Sequence, residues 1–375
     1  MRAAGIIAEY NPLHYGHVYH IEHTRELVGR DTPIVCAMSG SVTQRGDLAC
    51  LPKWERARAA VRHGANLVIE LPAPYACAAG ERFALGGVHL LNATGVIDML
   101  SFGSECGDVD ELKRAQAALE QNTDKFNSLM SLGYSYAAAQ AKAADFSGGA
   151  NDILGLCYLK AIKTLDVDMT PVTVKRSGAG HDELSETGFL SAMEIRRRLF
   201  SGKQVDLPES PRSELISLHA GERLVLAALR GMTVKAWAQV PDVSEGLEHR
   251  LLASARTATT LDELYMSVKT KRYTLARIRR IVLCAYLGIP RVDALPPYIR
   301  ALAFDSTGAE LLKRMKKATS LPIITKPAHY RRLGDVCKLF FELECNITDK
   351  IGLHYKDAHP CGQELRESVF GVCIS

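Results

Sequence analysis

Two histidines three residues apart, His14 and His17, close the stretch Gly5-Ile-Ile-Ala-Glu-Tyr-Asn-Pro-Leu-His-Tyr-Gly-His17, in which an apolar run gives way to a tight turn and then a helix. A helix start presents unbonded backbone N–H groups and the positive end of the helix dipole, so anions are favoured there. Gly16 lets a phosphate approach without a Cβ in the way, and two imidazoles can donate to its oxygens. The pattern predicts a phosphate site with His14 and His17 as its catalytic pair. Two other chemistries compete for the same residues. Imidazoles at i and i+3 can share a helix face and a metal, but no HExxH pattern or third carboxylate ligand accompanies them, so no metal is predicted. Ordinary capping or surface histidines are the remaining option, which the preceding strand-like run disfavours.

Such a turn must be held by a sheet, and the first half of the chain supplies one. Ala3-Ala8, Pro33-Met38, Leu67-Glu70, Val96-Phe102 and Pro171-Val174 are short apolar runs with the character of strands. Between them Gly16-Val28, Lys53-His63, Ala78-Ala93 and Asp110-Glu120 carry helical patterns, followed by a helical hairpin that reaches Leu165 through the capping pair Asn151-Asp152. Strands alternating with helices predict an α/β fold, a Rossmann-like parallel sheet domain. Ser191-Phe200 is a further helix, and Leu207-Pro-Glu-Ser-Pro211 has the composition of a linker. Beyond it, Arg212-Leu229, Leu247-Ala255, Leu261-Ser267, Leu275-Leu287 and Glu310-Lys316 space apolar residues by three and four. The expected organisation is a nucleotide domain over residues 1–205 and a mainly α-helical domain over 206–375.

Composition narrows the class. With 375 residues and 47% apolar content the chain can bury a sizeable core. It contains no uninterrupted apolar run of about 18 residues and no signal-peptide pattern after Met1-Arg2, so a cytoplasmic protein is expected, with no membrane partner. Ten scattered cysteines without a CxxC pair predict reduced packing thiols, and His359 with Cys361 makes too few ligands for a zinc site. The net charge is only +4, but residues 175–332 hold about 27 Lys and Arg against about 16 Asp and Glu. That asymmetry suggests a polyanionic partner or, equally, a solvated charged surface. Lys269, Lys271, Arg272, Arg277 and Arg280, interleaved with Tyr273, are the candidates for RNA contact, against the alternative of a solvated amphipathic helix.

The His14-Tyr-Gly-His17 turn resembles the HxGH signature of nucleotidyltransferases, and the whole opening segment is similar to that of the tRNA(Met) cytidine acetate ligase family. Ser39-Gly40, Gln44-Arg-Gly-Asp47, Lys53-Trp54, Gly64-Ala-Asn-Leu-Val-Ile-Glu-Leu-Pro72, Phe102-Gly-Ser-Glu105, Asn151-Asp-Ile-Leu-Gly155, Val174-Lys-Arg176, Glu245-Gly-Leu-Glu248 and Lys269-Thr-Lys-Arg-Tyr-Thr274 extend the likeness over roughly residues 1–290. The resemblance implies that ATP and acetate form acetyladenylate and that the exocyclic amine of the wobble cytidine of elongator tRNA(Met) then attacks the acetyl carbonyl. Mg²⁺ would arrive with ATP, and no stable protein partner is expected.

Carried over by position, Ile7, Ala8, Glu9, Tyr10, Asn11, Pro12, Leu13, His14, Tyr15, Gly16, His17, Val18, Tyr19 and His20 would enclose ATP, completed by Gly103, Asn151, Lys175 and Arg176. Ser191 and Arg196 match a phosphate-binding helix start, although Met193 stands where a small hydroxyl residue is usual. Ser41-Val42-Thr43 and Pro52 also depart from the family pattern, where Asn-Phe-Val and Asp are expected, and leave the choice of carboxylate open. Two rival functions remain, an adenylyltransferase acting on a small phosphorylated metabolite and an RNA-binding homologue without catalysis.

Overall fold

The computed structural model describes residues 2–176, 190–244 and 246–373, so Glu245 of the resemblance lies outside the described residues. β1 (Ala3–Ala8), β2 (Ile34–Ser39), β3 (Leu67–Leu71), β4 (Ile97–Ser104) and β5 (Thr170–Lys175) form where the apolar runs predict them. They pair in parallel in the order β5-β4-β1-β2-β3, with Ala4 opposite Ile34 and Gly5 opposite Leu100. β2 and β3 are buried along their whole length, which is why both read as continuous rather than alternating hydrophobic stretches. The helix Gly80–Ala93 lies close on β1, where a Cβ on Gly87 would come 2.6 Å from Ile7 Cδ1.

The second half returns to this sheet. β6 (Ile299–Phe304) lies antiparallel to β3, with Leu67 opposite Phe304, and carries the short strands β7 (Ile323–Ile324) and β8 (Phe370–Gly371). This strand is not among the sequence candidates, because a short buried apolar run after helical segments gives no periodicity of its own. The long helix Asp335–Ile351 also went unassigned from sequence. The rest of the half is helical, through Glu222–Arg230, Val234–Ala238, Leu247–Thr257, Leu261–Val268, Leu275–Leu287 and Ser306–Ala318.

The helix expected from Arg212 instead begins at Glu222, after a 3₁₀ turn at His219–Gly221. The preceding backbone donors are committed elsewhere: Arg212 N and Ser213 N bind the Glu55 carboxylate at 2.7 and 3.1 Å, and Ile216 N binds Cys50 O at 3.1 Å. Those residues therefore dock on the first half in place of continuing a helix.

A buried charge cluster joins the halves. Lys53 Nζ lies 2.5 Å from both Glu70 and Glu364, while Arg300 Nη1 lies 3.0 Å from Glu70 and 2.5 Å from Glu364. Glu344 adds a third carboxylate, 3.8 Å from Lys53, and accepts from Ala73 N at 2.6 Å. Burial and then the Glu70 charge push Glu344 up to about 8, so at neutral pH two cations face two anions. Burial opposes the charge on Glu364, but Arg300 and Lys53 outweigh it and hold its pKa at about 2. All ten cysteines are free thiols, and among the described residues no helix is long and apolar enough to cross a membrane.

Candidate active site

The strand order reverses beside β1: β2 and β3 extend to one side, β4 and β5 to the other. In open parallel sheets that switch point opens a crevice beyond the carboxyl ends of the strands, and the segment leaving β1 enters it. Tyr10 adopts a positive φ of 47°, the Asn11-Pro12 peptide is cis, and the segment is pinned from outside. Cys50 N donates to Asn11 Oδ1 at 2.7 Å, Gln44 N donates to Glu9 Oε1 at 2.7 Å, and Tyr10 packs edge-on to His17 at 5.0 Å. Burial raises the Glu9 pKa, against the Gln44 N–H bond that lowers it.

The helix Tyr15–Val28 starts at His14, which serves as its cap. His14 Nδ1 accepts from Gly16 N at 3.1 Å, and His17 Nδ1 accepts from His14 N at 3.3 Å. An Nδ1 that accepts carries no proton, so each neutral ring keeps its hydrogen on Nε2. Neither Nε2 has a hydrogen-bond partner among the described residues. The rings stack at 3.7 Å, forming two parallel donors. Burial first, then Arg176 and Arg196, lowers His14 to about 3; burial, then His14, drives His17 well below its ordinary value. His20, bonded to Ser101 Oγ at 3.1 Å, is lowered to about 4 by burial and then Arg176. The capping option is met through Nδ1, and the same geometry leaves each Nε2–H facing no acceptor among the described residues.

Positive charge comes from the flanks. Arg176 follows β5 directly, its N–H bound to Ser104 O at 2.9 Å, and a Cβ on Gly103 would come 3.3 Å from its side chain. Arg196, on the helix Ala192–Phe200, donates to Asn11 O at 2.7 Å. Among the described residues neither guanidinium lies within ion-pair distance of a carboxylate. Ser191 caps that helix through Glu194 N at 3.2 Å, while Met193 is exposed. Lys175 is exposed at the end of β5. Asn151 sits in the first turn of the helix Ala150–Thr164 with its side-chain amide 2.6 Å from Glu105, while the capping carboxylate is that of Asp152, which accepts from Gly149 N at 2.8 Å.

Elsewhere in the opening segment, Ile7, Val18 and Tyr19 are half-buried, Ala8 packs against the buried cluster of Ile6, Tyr10 and Leu13, and Tyr15 hydroxyl donates to Asp206 at 3.3 Å. The sequence departures have local roles: Val42 bridges to Leu48, Thr43 hydroxyl donates to Asp47 O at 3.1 Å, and Pro52 precedes the helix Lys53–Arg62 without a side-chain cap. Of the RNA candidates, Lys269, Lys271 and Arg272 are exposed and Tyr273 is half-buried. Arg277 donates to Asp242 O at 2.8 Å, and Arg280 is buried with Nε 3.0 Å from Asp242.

One contributor was missed from sequence. Arg56, buried on the helix Lys53–Arg62, donates to Glu9 O at 2.5 Å, Ser39 O at 3.2 Å, Leu51 O at 3.0 Å and Gly40 O. It thereby ties the ends of β1 and β2 together. Its signal was an arginine three and four residues before Ala59 and Ala60, since a charge on an apolar helix face needs partners.

A paired-histidine helix start at the switch point of a parallel sheet, flanked by two arginines, has the form of a nucleotidyltransferase site, and the chain belongs to the HIGH nucleotidyl transferase family, whose pattern matches residues 1–364. Among its relatives, the tRNA(Met) cytidine acetate ligase of Acetivibrio thermocellus is 33% identical over 413 residues, covering 98% of this chain and 99% of that one. Its counterpart from Caldanaerobacter subterraneus subsp. tengcongensis is 36% identical, covering 95% and 96%. The apo crystal structure of Thermotoga maritima TmcAL is similar at a TM-score of 0.90 with 28% identity, covering 99% of this chain and all of that one. The same protein bound with alpha-thio ATP is similar at 0.87, with the same identity and coverage.

Proposed function

We propose that this chain is an ATP-dependent tRNA(Met) cytidine acetate ligase. The observation that carries the reading is the stacked His14–His17 pair, two Nε2–H donors held neutral between Arg176 and Arg196 at the mouth of the sheet. The near full-length likeness to ligases of that name supports it. Acetate attacks the α-phosphorus of ATP, the bond to the β-phosphate oxygen breaks, and pyrophosphate leaves. The cytidine amine then attacks the acetyl carbonyl, loses a proton, and AMP departs. Activation is required because the amine lone pair is delocalised into the ring and free acetate offers no competent leaving group.

In this reading the segment from Ile7 to His20 with Gly103, Asn151, Lys175 and Arg176 encloses ATP. His14 and His17 donate to phosphate oxygens, and Arg176 and Arg196 neutralise their charge. Ser191 belongs to the helix start nearest the outer phosphates. These groups are donors and suit phosphate better than a metal, so Mg²⁺ would be held mainly by ATP oxygens. Residues 1–205 carry the nucleotide chemistry, and residues 206–375 hold tRNA through Lys269, Lys271, Arg272 and Tyr273, with Arg277 and Arg280 shaping that surface. The reaction takes place in the cytoplasm.

The test is mass spectrometry of elongator tRNA(Met) after incubation with the protein, ATP, Mg²⁺ and isotopically labelled acetate, with an acetyl-CoA-only control. Labelled acetylcytidine at the wobble position, dependent on ATP and acetate, is the expected result. A dinucleotide product without any need for tRNA would replace this reading with the adenylyltransferase, and tRNA binding without ATP–pyrophosphate exchange would replace it with the non-catalytic homologue.

A further inference from the structure

A separate cavity of about 330 Å³ opens between the two halves of the chain. Pro74 and Arg82, from the segment that leaves β3, form one wall; Arg277, Pro290 and Arg291 form the other, with Ser244 exposed at the rim. The three guanidinium groups are held by neutral oxygens. Arg82 donates to Val292 O, Arg277 to Asp242 O at 2.8 Å and to Ser244 Oγ at 2.8 Å, and Arg291 to Val243 O at 3.4 Å. Carbonyl and hydroxyl partners fix the side chains without cancelling their charge. Among the described residues none of the three has a carboxylate within ion-pair distance, and the carboxylate that lines the cavity, Asp242, is matched by Arg280 at 3.0 Å.

The cavity therefore combines an arginine cluster that no carboxylate pairs among the described residues with apolar faces. A free inorganic anion would use the first and leave the second bare. A nucleotide uses both, since a phosphate takes guanidinium donors and the face of an unstacked base packs on guanidinium planes and apolar surface. The volume falls at the small end of ligand pockets, which run roughly from 300 to 1,000 Å³.

Position argues for RNA as the source of that nucleotide. The cavity is linked to the candidate active site by a short relay: Gln44 N donates to Glu9, Gln44 O accepts from Arg280 at 3.5 Å, and Arg280 pairs with Asp242, whose carbonyl holds Arg277. Gly46, at a φ of +77°, lets that turn seat directly on the helix Leu275–Leu287; a Cβ there would come 2.3 Å from Arg280 N. The cavity thus lies beside the turn that follows β2, at the carboxyl end of the parallel strands, where the proposed reaction takes place.

We infer that this cavity receives one unstacked nucleotide of the RNA substrate, its phosphate on Arg82, Arg277 and Arg291 and its base against Pro74 and Pro290. The inference rests on the tRNA reading above, and the experiment separates the two. Binding of a tRNA(Met) transcript is measured across a salt series for the wild type, for the double variant Arg82→Gln/Arg291→Gln, and for Ser244→Trp. The last keeps every arginine, removes only the Ser244 hydroxyl contact of Arg277, which Asp242 O still holds, and changes an exposed rim residue, so it blocks the cavity without disturbing the core. Circular dichroism confirms the fold of each variant.

Both variants are expected to bind roughly tenfold more weakly, the double variant with a salt slope shallower by about 1, the value for one lost phosphate contact. Wild-type affinity and slope in both variants, beside a wild type that binds, overturn the cavity assignment and leave the ligase reading standing. A wild type that does not bind tRNA overturns both. Thermal stabilisation by cytidine 5′-monophosphate or inorganic phosphate that the variants lose, with tRNA affinity unchanged, makes the cavity a small-anion site and overturns its assignment to RNA.

Discussion

Two polar clusters, one buried and one open to solvent, lie along the same sheet and differ in how their charge is closed. Around Lys53 and Arg300, each cation meets carboxylates from other elements, and the odd acid, Glu344, is held protonated. Around His14 and His17, Arg176 and Arg196 meet no carboxylate among the described residues, and both histidines are kept neutral. One helix serves both: Lys53 turns into the closed cluster, and Arg56, three residues later, into the carbonyl ends beside the open one. A cluster whose charges already cancel holds the fold together, whereas a cluster left positive is complete only with an anion.

Breaking the closed cluster is the harshest test. Lys53→Met leaves two carboxylates and the protonated Glu344 with one arginine and is expected to lower unfolding stability by about 3–5 kcal/mol, measured by urea denaturation. His17→Ala, in the open cluster, should leave a folded protein whose ATP–pyrophosphate exchange falls by roughly 10²–10³-fold, the scale for removing one transition-state donor. Exchange at wild-type rates would sever the histidine pair from the chemistry.

Glu344→Gln sharpens the contrast through pH. A folded pKa raised to about 8 from an unfolded 4.5 means the native state binds the extra proton between those values, so wild-type stability declines as pH rises through that window. The variant has no such proton, and its stability relative to wild type should grow by up to about 1.4 kcal/mol per pH unit across the window. His20→Asn gives the opposite sign in the open region. The wild-type ring, lowered to about 4, resists protonation, so native stability falls as pH drops below about 6.5. Removing it should take roughly one proton out of the acid slope, the smallest of these effects, read from unfolding curves at several acidic pH values.

The two clusters were also unequally legible. The open one depends on local order, strand then turn then helix, so His14, His17 and Gly16 stand within one short segment and their backbone context can be inferred. The closed one is assembled from Lys53, Glu70, Arg300, Glu344 and Glu364, residues up to about 300 positions apart, and nothing in their own segments announces a partner. The five parallel strands were readable because each is a discrete apolar run between helices. β6 was not, since its pairing with β3 is set by tertiary packing and its run holds a buried arginine. Arg56 lay between these cases: its helix was readable, but the four carbonyls that it holds belong to the end of β2 and to turns whose geometry is not.

β6 has a further consequence, for the chain as it is made. Until residues 299–304 are available, β3 has an uncovered edge built from Leu67, Val68 and Ile69, with ladder hydrogen-bond groups able to accept a foreign strand. A polypeptide ended near residue 205 would keep the histidine turn and all five parallel strands, yet it would present that edge permanently. Such a fragment is a template for self-association, and its solubility, not its catalytic outfit, would limit its use.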